Sequence, residues 1–93
     1  MEIEELRSLR GAIDSIDRQI LGLVVARAKL ALAVGDLKRR HQLPIYDPER
    51  ERALLDDLAI CAEPPLDAVA VRRVFEAVVG ESRRLQEQAS TSD

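Results

Sequence analysis

Ninety-three residues, 46% apolar and 33% charged but only 2% aromatic, make one domain whose core of Leu, Ile, Val and Ala is marginal on its own. A net charge of -3, with Tyr46 and Phe75 the only aromatic rings, argues against a nucleic-acid partner, because there is no basic surplus and no stacking platform. A single cysteine, Cys61, and a single histidine, His41, exclude an internal disulfide and leave no zinc cluster or other metal site.

Four Gly and four Pro are too few for a sandwich or barrel, so the composition points to an all-α fold. The N-terminus, Met1-Glu2-Ile3-Glu4-Glu5, is acidic and carries no apolar run, so neither a secretory signal nor a membrane span is expected and the cytoplasm is the default location.

The first element dominates the chain. Leu6, Leu9, Ile13, Ile16, Ile20, Leu23, Arg27, Leu30, Val34 and Leu37 recur at alternating spacings of three and four, the signature of one helix with an apolar seam. The spacing predicts a helix over about 3–41, ended by His41-Gln42-Leu43-Pro44, since a proline disfavours helical geometry at the residue before it. Gly11, Gly22 and Gly35 each cost about 1 kcal/mol against alanine and are assigned no chemistry. At 1.5 Å per residue such a helix is about 58 Å long, roughly twice the diameter of a compact chain of this size. The overhang needs a partner, most simply a second copy in a two-fold homodimer.

Two shorter helices follow. Asp47 as N-cap, Pro48 at the first helical position and Glu49 in the first turn begin a second helix over about 48–62. Its inward face is Leu54, Leu55, Leu58 and Cys61 or Ala62, with Glu51 one turn earlier. After Glu63-Pro64-Pro65-Leu66, Asp67 caps a third helix over about 67–88, with Val71, Phe75, Val78, Ser82 and Leu85 on one face and Gln86 one turn beyond Ser82. Residues 89–93 are expected to fray.

Each predicted helix interrupts its apolar face with a strongly hydrogen-bonding group: Arg27, Glu51, and Ser82 with Gln86. An arginine on a packed face loses several kcal/mol of hydration unless an anion meets it. Two readings stay open: a structural network in which Arg27 pairs with Glu51, or a ligand pocket. Lys38 lies eleven residues beyond Arg27, about 20° around the helix and about 16 Å along it, and Arg50 stands beside Glu51. This surplus of cations favours an anionic ligand with more than one carboxylate or phosphate. Arg10, about 25 Å from Arg27 and about 100° around the axis, can join such a site only from a partner chain. There is no Ser/His/Asp set, no Cys/His pair and no glycine-rich phosphate loop, so an enzyme built this way works by positioning and electrostatics.

Leu9-Arg10, Ile13-Asp14-Ser15-Ile16-Asp17, Arg27, Val34-Gly35-Asp36-Leu37-Lys38, Asp47-Pro48-Glu49-Arg50-Glu51, and finally Ser82 and Gln86 resemble, in order and spacing, the all-helical class of chorismate mutases. The resemblance spans about residues 6–88. It implies an intertwined homodimer of three-helix chains with two shared active sites, the rearrangement of chorismate to prephenate toward phenylalanine and tyrosine, and no cofactor. It further implies that Arg27 and the partner's Arg10 hold the two carboxylates of the substrate. Lys38 and Gln86 would bond its ether oxygen, Glu51 and the backbone at Asp47 would take its ring hydroxyl, and Ser82 and Arg50 would help hold a carboxylate and its surroundings.

Other readings of the same bundle are an isochorismate pyruvate lyase, an aminodeoxychorismate mutase, a non-catalytic domain that binds chorismate or prephenate for regulation, and a purely structural helical dimer. A partner enzyme of the same pathway is a further expectation.

Overall fold

The computed structural model describes residues 3–91. The described residues form three helices, α1 (Glu4–Arg40), α2 (Pro48–Ile60) and α3 (Ala68–Thr91), in the long, short and medium order expected. α1 is unbroken over 37 residues. Glu4 and Glu5 lie in its first turn and Lys38, Arg39 and Arg40 in its last, the charge arrangement that the helix dipole favours.

The end of α1 is set by more than Pro44. Gln42 adopts a left-handed φ of 56°, its N–H donates to Arg39 O at 3.1 Å, and the Leu43 N–H donates to Lys38 O at 2.8 Å. This pair of bonds satisfies two of the last carbonyls and turns the chain back along the helix, with glutamine in the place usually given to glycine. α2 starts as expected, with Asp47 Oδ1 accepting from the Arg50 N–H at 3.0 Å and Pro48 in the first turn. α3 starts in the same way, with Asp67 Oδ1 accepting from the Ala70 N–H at 2.8 Å.

Two expectations are corrected. α2 stops at Ile60, and of the two alternatives for its last inward position Cys61 is exposed while Ala62 is half-buried. Bonds from the Cys61 N–H to Leu58 O and from the Ala62 N–H to Ala59 O tighten the last turn and end the helix, and Ala59 is its buried residue. α3 runs on through Thr91, past the expected end at residue 88. Its last turns are tied to α1, because Arg39 Nη1 donates to Ser90 Oγ at 3.3 Å and Ser90 Oγ donates to Gln86 O at 3.1 Å. Ser92 and Asp93, the rest of the segment expected to fray, lie outside the described residues.

α3 lies against both α1 and α2, which do not pack on each other. The result is long and thin, 57 × 30 × 16 Å, with a radius of gyration of 17.2 Å, where a compact chain of this length has about 12 Å. Ala59 and Val79 are the only buried apolar side chains among the described residues. The seam of α1 faces solvent in the single chain: Ile13, Ile16, Ile20, Leu23 and Leu30 are 52% to 72% exposed. The accessible surface of 7494 Å² exceeds the roughly 5,400 Å² of a compact fold of this mass by about 2,100 Å². No helix among the described residues is long and apolar enough to cross a membrane.

Candidate active site

The crossing of α1 and α3 depends on a residue without a side chain. Gly35 is buried, and a Cβ built there would stand 3.0 Å from Gln86 Cγ and 3.4 Å from Gln86 Cβ. The missing methyl lets Gln86 lie flat on α1, where its Nε2 donates to Ala31 O at 2.7 Å. Four residues earlier on α3, Ser82 Oγ accepts from Arg27 Nη1. Thus the two helices are joined by side chains where their apolar faces run out.

An open pocket of about 300 Å³ lies beside this crossing, a volume at the lower end for small-molecule sites. Its wall from α1 carries Arg27 and Lys38, with Leu30, Ala31 and Val34 between them. The loop after α1 and the first turn of α2 add Ile45, Asp47, Arg50 and Glu51, and α3 adds Val79, Ser82, Arg83 and Gln86. Seven of the eight residues singled out from the sequence therefore surround one cavity. The eighth, Arg10, is exposed on the N-terminal half of α1 and does not line the pocket, because a continuous helix keeps it about 25 Å from Arg27.

The ion pairing within the chain differs from the structural network expected for Arg27. Glu51 is not its partner: both Glu51 carboxylate oxygens accept from Arg83 Nη1, at 2.9 and 3.1 Å. Among the described residues Arg27 and Lys38 meet only neutral oxygens, the hydroxyl of Ser82 and the carbonyl of Ile45, the latter at 3.2 Å. Both side chains are partly buried. Two cations sit on one cavity wall without a carboxylate, while Asp47 is engaged in capping α2 and Glu51 by Arg83. Such a wall has positive potential and is complementary to an anion.

The donors are held, yet not exhausted. A lysine ammonium has three N–H groups and a primary amide has two; Lys38 spends one on Ile45 O and Gln86 spends one on Ala31 O. The remaining hydrogens are available to a ligand, and the bonds already made fix where they start. Among the described residues no group of His, Cys, Asp and Glu could hold a metal ion.

Sequence reasoning missed Arg83, Tyr46 and the part played by Gly35. Arg83 was legible: Val79, Ser82, Arg83 and Gln86 follow the three-and-four spacing of one helical face. Tyr46 lies in a loop with no periodicity, and its ring sits 4.8 Å from the Arg83 guanidinium carbon.

Comparison with known proteins identifies the family. Residues 9–87 match the profile of the family described as chorismate mutase type II. The chain is 36% identical over 87 residues to a chorismate mutase of Methanocaldococcus jannaschii, covering 92% of this chain and 88% of that one. It is similar to the structure of a chorismate mutase of Thermus thermophilus, with a TM-score of 0.88 and 32% identity over 90% of this chain and 96% of that one. It also resembles a chorismate mutase of Helicobacter pylori solved with prephenate, with a TM-score of 0.87 and 29% identity over 96% and 97% of the two chains. With three helices in the same arrangement and a family match that takes in α2 and most of α1 and α3, the chain belongs to the chorismate mutase type II family.

Proposed function

We infer that this protein is a chorismate mutase, an isomerase that converts chorismate to prephenate in a homodimer whose two sites each draw on both chains. The observation that carries this reading is the pair Arg27 and Lys38, two partly buried cations on one cavity wall without a carboxylate partner. A dicarboxylate supplies the missing negative charge.

The reaction asks for what the pocket offers. In the rearrangement one carbon–oxygen bond breaks as one carbon–carbon bond forms, with no proton transfer and no covalent intermediate. Catalysis then consists of folding a flexible substrate into its reactive conformer and stabilising the charge that builds on the ether oxygen. Arg27, steadied by Ser82, takes one carboxylate. Lys38 and Gln86 direct their remaining N–H groups at the ether oxygen, where preorganised donors act on developing charge. Glu51 and the backbone at Asp47 accept the ring hydroxyl, and Arg50 adds positive charge at the mouth of the site.

The second carboxylate is assigned to a cation of the second chain, since Arg10 lies too far along its own helix to reach the pocket. The exposed α1 seam supports a second chain. An excess of about 2,100 Å² per chain corresponds to an interface in the size range of obligate dimers. Antiparallel pairing through this seam sets the N-terminal half of one α1, with Arg10, beside the C-terminal half of the other, with Lys38. An activity on a pathway intermediate of aromatic amino acid synthesis fits the cytoplasm.

The test is conversion of chorismate by the purified protein, with Arg27→Ala as the matched control and the product identified by chromatography. Prephenate formed by the wild type and lost in the folded variant supports the reading. Chorismate left untouched by a folded wild-type dimer would leave a binding domain as the better account.

A further inference from the structure

The pair formed by Glu51 and Arg83 has an unusual setting. The two residues come from different helices, α2 and α3, and both line the cavity. A single guanidinium nitrogen, Nη1, reaches both carboxylate oxygens, at 2.9 and 3.1 Å. The guanidinium is backed by Tyr46, whose ring centre is 4.8 Å from Cζ, a distance at which a cation is attracted to an aromatic face. Tyr46 in turn belongs to the loop that supplies Ile45 O to Lys38 and Asp47 to the start of α2. Arg83 is therefore fixed between a ring and a carboxylate where α2, α3 and the loop after α1 come together.

Two consequences follow from the chemistry of the pair. A carboxylate has about four lone-pair sites, so the oxygens of Glu51 can still accept a hydrogen bond from the cavity while Arg83 fixes their direction. The pair also has no net charge. It offers an acceptor without offering a negative site, in a pocket that already carries Arg27, Lys38 and Arg50.

We propose that Arg83 is a positioning residue for Glu51, and that the pair makes the enzyme select a ring bearing a neutral hydroxyl over the same ring bearing an ammonium. The proposal rests on the reading of Glu51 as the acceptor of the ring substituent. An ammonium brought to Glu51 would also approach the Arg83 guanidinium and would have its attraction to the carboxylate largely cancelled. With Arg83 replaced by a neutral residue, the carboxylate is uncompensated and a cationic substituent becomes the better match.

The experiment compares kcat/KM for chorismate and for 4-amino-4-deoxychorismate in the wild type, Arg83→Gln and Arg83→Lys, with folding checked by circular dichroism. The wild type is expected to favour chorismate by about tenfold or more. Arg83→Gln should reduce that preference by at least about tenfold, chiefly through a lower KM for the amino substrate. Arg83→Lys, which keeps the charge but loses the two-oxygen contact and the ring face, should retain the preference and raise KM for chorismate.

Equal use of both substrates by the wild type would overturn the proposal without any variant. So would Arg83→Gln slowing both substrates by the same factor, the outcome of a merely structural ion pair. A wild type that converts neither substrate would instead remove the chorismate mutase reading itself, which separates the two failures.

Discussion

Replacing Gly35 by alanine places a methyl where α1 and α3 come closest. In an ordinary helix interior this change is favourable by about 1 kcal/mol. Here the new Cβ meets Gln86 Cγ at 3.0 Å and Gln86 Cβ at 3.4 Å. Because the second of these atoms is fixed to the α3 backbone, rotating the end of the side chain does not relieve the contact, and the helices themselves must part by a few tenths of an ångström. Overpacking of this kind costs about 1–3 kcal/mol, and weakening the bond from Gln86 Nε2 to Ala31 O costs about 1 kcal/mol more. The unfavourable terms win, for a net loss of about 1–3 kcal/mol. Gly80→Ala on α3 is the control, because a Cβ there meets nothing within 4 Å, and it should gain about 1 kcal/mol. In thermal melts at one fixed protein concentration, Gly35→Ala should lower Tm and Gly80→Ala raise it, by about 4–8 °C for each kcal/mol. Gly35→Ala should also reduce kcat about tenfold, because it moves Gln86, the donor proposed for the ether oxygen. If it raised Tm as much as Gly80→Ala and left kcat/KM unchanged, the close crossing would have no role in placing Gln86.

Lys38→Ala removes an ammonium that only the Ile45 carbonyl holds; turnover of chorismate should fall about 100- to 1,000-fold with the helical circular dichroism intact, and a folded variant with more than a tenth of wild-type activity would exclude the assigned role. Ile16→Asp introduces a charge on a seam residue that is 53% exposed in the single chain, and sedimentation equilibrium should show loss of the dimer together with loss of activity. If Ile16 faced solvent in the working protein, the same change would be within about 0.5 kcal/mol of neutral. The Glu81 carboxyl is held below its ordinary value of 4.5 by its hydrogen bond and charge attraction to Arg84. Its contribution is therefore complete above that value and is lost as the pH falls through the lowered one, so a small Tm difference between wild type and Glu81→Gln should be constant near neutrality and vanish in acid.

The three helices were legible because each carries its own start or stop in its residues. Asp47-Pro48 and Asp67 cap by local chemistry, and both caps form as the sequence implies. The end of α3 was not legible, because Ser90 is held by Arg39 from another helix, and no local rule contains that contact. The same limit applies to the site. Periodicity placed Arg27, Lys38, Glu51, Ser82 and Gln86 on inward faces, and these five line one cavity. It did not reveal which charge meets which. Glu51 takes Arg83, 32 residues away, and the consequence is that Arg27 and Lys38 stay available. Gly35 looked like a small propensity penalty, and its use emerges only when α3 is laid across it.

The shared site is the claim on which both the fold and the chemistry turn, and mixed dimers test it most directly. Arg10→Ala and Lys38→Ala homodimers should each be nearly inactive, since every site in them lacks one cation. Co-refolded in equal amounts, the two chains form mixed dimers in which one site has both residues and the other has neither. Random pairing then predicts recovery of about a quarter of wild-type activity. Recovery near that level would show that Arg10 and Lys38 act on one substrate from different chains. No recovery, with mixed dimers demonstrated by native mass spectrometry, would contradict the account.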